Sequence, residues 1–505
     1  MKRVIILSAT LILIVLIGLV AVINYTSLSK NNEPKPFYVG VTYCGNSTTE
    51  AEQLIDRVKN YTNLFVLQSG PLMQNLTASQ EICDYAVNSG LNIILYYSNN
   101  GLAGGYLPLI DMAEARWGSN FLGVYYNDEP GGKMLDSSVM LYNSATGISV
   151  NKGSNGWLQE SYSNESNGIT TRYDYQFLPS GEIIAYISTT FPDWSSEWNT
   201  TTYFTNGTIS FSAAMLANGT VTPEEPLWYQ PDGTEQDENG TIVTGKGDIS
   251  QFTPYQQVWD SRPLQTYTET AYLYVNAKHH ILNTIGNKST VKLFTSDYAL
   301  YWFDYQAGYD TVWAQLGWNN NPMQEIALVR GAANMQNKNW GTMITWITDD
   351  YPSLPSGAQM YDAMRQSYES GAEYVVVFNY TPDNDPLKSI DANGTRVESE
   401  AGLLQDEHYD AIERFWNDVV QNPQVTHGVK TEAAFVLPNS YGWGMRSQND
   451  NIWGLWKADS TSEQIWTQLQ SKLAQYGSKL DIVYDDPAYP TTGKYNQIYF
   501  WNQPS

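Results

Sequence analysis

The chain has 505 residues, with 52 acidic against 27 basic side chains for a formal net charge of -25, and 13% aromatic residues including 17 Trp and 37 Tyr. That charge repels a phosphate backbone and excludes nucleic acid as a natural partner, while the aromatic content excludes disorder as the dominant state. The length suits one large domain with attachments; two cysteines and four histidines without ligand spacing point to no metal, and no cofactor fingerprint is visible.

Taken in order, Met1, Lys2 and Arg3 precede residues 4–23, twenty residues without a charge. That is enough helix, at about 1.5 Å per residue, to cross a hydrocarbon core of roughly 30 Å. The basic start keeps the amino end inside, and the lack of a small-x-small cleavage site favours an uncleaved signal anchor over a removed signal peptide. Residues 24–36 are a polar, proline-bearing stalk. Twelve Asn-X-Ser/Thr sequons, from Asn24 to Asn393, add N-glycosylation to the expectation of a single-pass protein of the cell membrane with the bulk of the chain outside. Cys44 and Cys83 allow either a disulfide between neighbouring units or two separate buried thiols.

From residue 37 onward apolar runs alternate with amphipathic stretches, which predicts repeated strand-helix units and a parallel sheet. The strands fall at residues 37–43, 63–68, 91–98 and 121–126, with helices at 48–61, 78–89 and 107–117. Residues 134–264 then turn rich in Ser, Thr, Asn and Gly, with short alternating runs such as 181–189 and 201–212 and Asn-Gly turns at Asn206, Asn218 and Asn239. This is a β-rich insertion, placed over or beside whatever the fourth strand opens onto. The rhythm resumes with a helix at 268–285, strands at 291–295, 311–316, 341–348 and 372–378, and helices at 323–337, 359–370 and 403–420. Four units before the insertion and four after favour a closed (β/α)8 barrel of the TIM type over an open doubly wound sheet, since Gly101, Gly104 and Gly105 lack the G-x-G-x-x-G order of a phosphate loop. A small α/β module follows, with strands at 432–437, 452–456, 480–484 and 498–501 and a helix at 461–476. Residues 441–456, dense in Trp and Gly, are either a binding loop or a packing seam against the barrel. The expected division is 1–36 anchor and stalk, 37–132 first half-barrel, 133–265 insertion, 266–423 second half-barrel and 424–505 C-terminal module.

Sites in such a barrel form at the carboxyl ends of the strands. Those ends offer Tyr43, Gln68, Tyr97, Asn127, Asp297, Gln315, Trp318 and Tyr380 as substrate-binding residues, a set of amides, carboxylates and rings that suits a polyhydroxylated ligand. The fourth strand ends in Asp128 and Glu129 and the seventh leads to Asp349 and Asp350, a pairing that fits glycoside cleavage, where one carboxyl protonates the leaving oxygen and the other acts as nucleophile or base. Glu129 is preferred as the acid because Pro130 fixes the backbone beside it, with Asp349 or Asp350 as partner and Asp297 in reserve. The competing reading makes these carboxylates helix caps.

The run Asn127-Asp128-Glu129-Pro130 resembles the Asn-Glu-Pro strand-four ending of the retaining barrel glycosidases, and the trailing module resembles accessory domains of some of them. The resemblance implies a diverged glycoside-hydrolase-like barrel with Glu129 as acid/base. It departs from the pattern in the extra Asp and in Asp349-Asp350, where that superfamily has a single Glu. Two functions follow: a membrane-anchored extracellular glycoside hydrolase-like protein acting on or binding a glycan, or a noncatalytic surface scaffold that binds glycans on the same fold.

Overall fold

The computed structural model describes residues 36–97, 107–143, 146–153, 156–193, 195–214, 226–286, 291–347, 353–380 and 402–503. Residues 4–23, expected as the anchor, lie outside these, and among the described residues no helix is long and apolar enough to cross a membrane.

Eight parallel strands close into a barrel: β1 Tyr38–Tyr43, β2 Leu64–Leu67, β3 Asn92–Tyr97, β4 Phe121–Tyr126, β15 Lys292–Asp297, β16 Thr311–Leu316, β17 Asn339–Ile344 and β18 Tyr374–Val377. They are almost wholly buried, as a barrel covered by helices requires. Ala51, Leu54, Ile55 and Val58 put one face of the helix Thr48–Val58 against the strands, and Ser47 caps it by accepting from Glu50 N at 3.3 Å. The interior is filled with rings: Trp313 lies 5.4 Å from Tyr125 and 5.6 Å from Phe294, and Phe294 lies 5.4 Å from Tyr374, centroid to centroid. Gly123, at φ 147, lets β4 and β15 meet, since a Cβ there would stand 2.2 Å from the Lys292 carbonyl oxygen. The ring is tied between β1 and the end of β18, where Asn379 N donates to Thr42 Oγ1 at 3.0 Å.

The insertion is a ten-stranded antiparallel meander, β5 Val139–Asn143 to β14 Ile242–Lys246, each strand beside its sequence neighbour. The alternating run at 201–212, with its Asn-Gly turn at Asn206, is part of a hairpin. Its arms are β10 Ser196–Tyr203 and β11 Ile209–Ala214, turned at Gly207 (φ 87), where Asn206 Oδ1 accepts from Thr208 N at 2.9 Å.

In the C-terminal module, β19 Ala433–Leu437 lies between β20 Leu480–Tyr484 and β21 Gln497–Phe500, all parallel. Its sheet is bolted to the barrel by a buried ion pair, Arg330 Nε to Asp481 Oδ1 at 2.6 Å, while Arg330 also donates to the Leu480 carbonyl at 2.8 Å. Residues 452–456 are not a strand: Trp453 (φ 55) and Gly454 (φ 64) turn the chain and leave only two isolated bridges. The segment 441–456 is a seam, with Trp443 and Trp453 fully buried, although its middle reaches the barrel mouth. Cys44 and Cys83 are two buried thiols, not joined in a disulfide.

Candidate active site

Strand β4 ends at Tyr126, and two residues beyond it adopt left-handed backbone, Asn127 at φ 53 and Glu129 at φ 55. Such a conformation costs an L residue on the order of 1–2 kcal/mol, so surrounding contacts must enforce it. They come from three directions. Glu129 N donates to the Ser296 carbonyl at 3.0 Å, fixing the residue to the end of β15. Pro130 then opens a short helix, Pro130–Asp136, whose first amides are taken by Asp297: Gly131 N donates to Oδ2, and Gly132 N to Oδ1 at 2.8 Å. At the other end, Lys152 of β6 (Ile148–Lys152) buries its ammonium against the Met134, Leu135 and Ser137 carbonyls at 2.8, 3.4 and 3.0 Å. A carboxylate at the N-terminus and a cation at the C-terminus both complement the helix dipole.

The Glu129 side chain, 20% exposed, lines an open cleft of about 680 Å³ with Asp136, Tyr298, Trp318, Asn319, Asn320, Arg446, Ser447 and Asp450. Burial, then the neighbouring Asp128 charge, push its pKa up to about 8, against the opposing pull of Lys133 and Gln315. Gln315 Nε2 donates to Glu129 Oε1 at 2.9 Å and to Ser296 Oγ at 2.9 Å, while its Oε1 accepts from Trp318 Nε1 at 2.6 Å. An indole N–H can only donate, so Trp318 sets the amide's orientation and leaves the carboxyl proton on Oε2. Lys133 Nζ stands 3.9 Å from that oxygen. Asp128 is anchored beside Glu129 through its Oδ1, to which Tyr125 and Ser296 both donate.

The far wall belongs to the C-terminal module. Arg446 donates to Asp450 through Nε at 2.8 Å and through a terminal nitrogen at 2.7 Å, and grips both oxygens of Asp136 on the acid-bearing helix. Its guanidinium also lies 5.5 Å from the Tyr298 ring centroid. An aromatic arc continues along the rim, Tyr298 to Trp318 at 6.1 Å, Trp318 to Trp346 at 5.7 Å and Trp346 to Tyr380 at 5.2 Å.

No family model and no curated protein matches the chain. Among solved structures, a GH5_18 from Streptomyces cattleya in complex with GlcNAc is similar with a TM-score of 0.45 at 9% identity, over 93% of this chain and 99% of that one. A GH5_18 from Bifidobacterium longum subsp. infantis is similar with a TM-score of 0.44 at 8% identity, over 94% of this chain and 98% of that one. The barrel itself is established by its own strand pairing.

Of the residues singled out from the sequence, Glu129, Gln315 and Trp318 meet in one hydrogen-bonded group, with Asn127 and Asp128 in the turn that presents it. Tyr380 joins the aromatic arc. Tyr43 does not reach the cleft: it is buried and its hydroxyl donates to the Ser47 carbonyl at 2.9 Å, beneath the first helix. Tyr97 is buried against Tyr126 at 5.7 Å, and Gln68 keeps its Oε1 buried without a hydrogen-bond partner. Asp297 was expected at the rim. It is instead wholly buried at the last position of β15, which runs two residues past the expected end, and it accepts from the amides of Gly131, Gly132, Tyr298 and Ala299. Burial raises its pKa to about 6, and that of the Asp304 beneath it well above the carboxylate range.

Strand seven was expected at 341–348 but ends at Ile344. Beyond it the Trp346 carbonyl turns to Trp318 N at 2.7 Å and Ile347 N to the Ser353 carbonyl at 3.0 Å. Asp349 and Asp350 lie outside the described residues. The sequon at Asn379 has a buried side chain whose Oδ1 accepts from Leu404 N at 3.0 Å, whereas Asn46 is exposed. Sequence reasoning did not single out Lys133, Asp136, Ser296, Arg446 or Asp450. Arg446 and Asp450 had one available signal: they are the only charged side chains in the Trp- and Gly-rich segment 441–456.

Proposed function

We propose that the barrel mouth is a glycan site in which Glu129 gives its proton to the departing oxygen of a glycosidic bond. The observation that supports this most is a carboxyl whose pKa stands near 8, on the wall of an open cleft of about 680 Å³ edged by Trp318 and Tyr298. An acid with a pKa near the working pH is protonated at rest yet strong enough to donate, which is the requirement for general acid catalysis. Lys133, 3.9 Å from Oε2, stabilises the carboxylate left behind, and the Asp128 charge returns the proton to it. In this reading Asp349 or Asp350 supplies the second carboxyl from the segment after β17, and the protein works outside the cell on the anchor formed by residues 4–23.

The test is a set of aryl glycosides with leaving groups of graded acidity. Glu129→Gln slows those that need protonation by about 10²- to 10⁴-fold and spares those that do not. A uniform loss across the set, with an unchanged melting profile, would overturn the assignment. Asp349→Asn and Asp350→Asn identify the partner by which one abolishes turnover of every substrate. The anchor is tested by washing membranes at high salt: the chain stays bound with its amino terminus intact, and recovery of a chain beginning near Tyr25 contradicts it.

The noncatalytic reading has one observation in its favour. The two other carboxylates of the described cleft, Asp136 and Asp450, are both engaged by Arg446. Retention of glycans on an array by wild-type protein that releases no product would select that reading.

A further inference from the structure

The loop that walls the mouth has a second cavity on its other side. An open pocket of about 500 Å³ lies between the insertion at β7 (Leu158–Ser166) and β8 (Ile169–Phe177), the return segment carrying Trp259 and Arg262, and Asn451, Trp456 and Lys457 of the loop. Its lining contains two cations, Arg262 and Lys457, and no carboxylate, in a chain with 52 acidic residues against 27 basic.

Arg262 is held ready. Its guanidinium carbon lies 3.8 Å from the Trp259 ring centroid and its Nε donates to the Trp259 carbonyl at 3.0 Å, while the opposing Tyr255 ring stacks on Trp259 at 6.0 Å and 13°. Among the described residues no carboxylate forms an ion pair with Arg262 or Lys457. Asp260 acts on Arg262 electrostatically, but it lies outside the lining and its Oδ1 accepts from Gln256 Nε2 at 2.7 Å. Trp456 is braced edge-on by Tyr267 at 5.0 Å and stays half-buried on the opposite wall.

We infer that this cavity binds a sugar unit bearing an oxyanion, a carboxylate or a sulfate ester, with Arg262 and Lys457 on the charged group and Trp456 and Asn451 on the ring and its hydroxyls. A planar guanidinium with its stem fixed presents paired donors that match such groups, and two cations that make no direct ion pair leave their donors to be met by the ligand. The mouth has no comparable group, because its Arg446 is already shared between two carboxylates. The site is independent of the Glu129 assignment.

The test is calorimetry on the full-length chain carrying Glu129→Gln, which removes the proposed acid of the mouth and leaves every residue of the second cavity in place. The probes are a glucuronate-containing tetrasaccharide, a 6-O-sulfated tetrasaccharide, neutral chitotetraose and sodium sulfate at matched ionic strength. One of the two anionic sugars binds at least about 10-fold more tightly than chitotetraose, and which one does so decides between carboxylate and ester. Arg262→Met, which keeps the stem over Trp259, removes about that factor. Lys457→Gln, at an exposed position, removes about 3-fold and keeps the test open if the first variant fails to fold. Equal affinity for neutral and anionic sugars, or anionic binding unchanged by Lys457→Gln and by a folded Arg262→Met, overturns the proposal. So does sodium sulfate binding as tightly as the better oligosaccharide.

Discussion

The two cavities flanking the loop at 441–457 are made of similar residue types and are wired in opposite ways. At the mouth every charge is answered from within: Arg446 spans Asp136 and Asp450, Asp297 collects four amides, and Glu129 is left neutral by burial and a neighbouring charge. In the second cavity Arg262 is fixed in place but not neutralised. A site that must move a proton needs geometry enforced by an internal network, since proton transfer depends on the pKa and position of one group. A site that only recognises charge needs a preorganised group with its counter-ion missing.

Substitutions sharpen this contrast, because mouth changes act on chemistry and stability together while changes in the second cavity act on binding. The largest effect is that of Glu129→Gln on substrates with poor leaving groups, about 10²- to 10⁴-fold in kcat with KM little moved. Next is Asp297→Ala, which strands four buried amides; at roughly 1 kcal/mol or more per orphaned donor, the denaturation midpoint falls by the equivalent of several kcal/mol and turnover falls with it. Arg446→Met leaves two partly buried carboxylates facing each other and lowers stability by about 2–4 kcal/mol in the same measurement. Smaller per pH unit is a pH effect. Glu129 has its folded pKa raised to about 8 from an ordinary 4.5, so between those values the folded chain holds the extra proton and stability falls as pH rises. Relative to Glu129→Gln, wild type therefore loses up to about 1.4 kcal/mol per pH unit across that window and nothing below it, as melting curves from pH 4 to 9 will show. The smallest is Lys457→Gln, which leaves the melting temperature in place while weakening anionic sugar binding about 3-fold.

The strand-helix rhythm made the barrel legible, and β4, β16 and β20 lie where the apolar runs place them because a strand buried on both faces has no other way to read. The helix Tyr301–Ala307 was not legible: it is buried on every side, so no amphipathic period marks it. In the insertion the Asn-Gly turn at Asn206 marked the hairpin of β10 and β11, because a two-residue turn of that composition is a local signal. At the site, Glu129 and Gln315 could be named because chain order puts them at strand ends. Arg446 and Asp297 could not be assigned their roles, since one arrives from a separate module and the other faces inward at a strand end to cap a helix that starts more than 150 residues earlier. The competing reading of these acids as helix caps holds for Asp297, while Glu129, at the N-cap position of the same helix, makes no capping bond with its side chain.

The account rests on Glu129 being a neutral acid at physiological pH, and infrared difference spectroscopy of wild type against Glu129→Gln reads that state directly. A protonated carboxyl band that belongs to Glu129 and disappears only as pH passes about 8 is the expected result. A band already lost near pH 4.5, the ordinary range of a solvated glutamate, would contradict it.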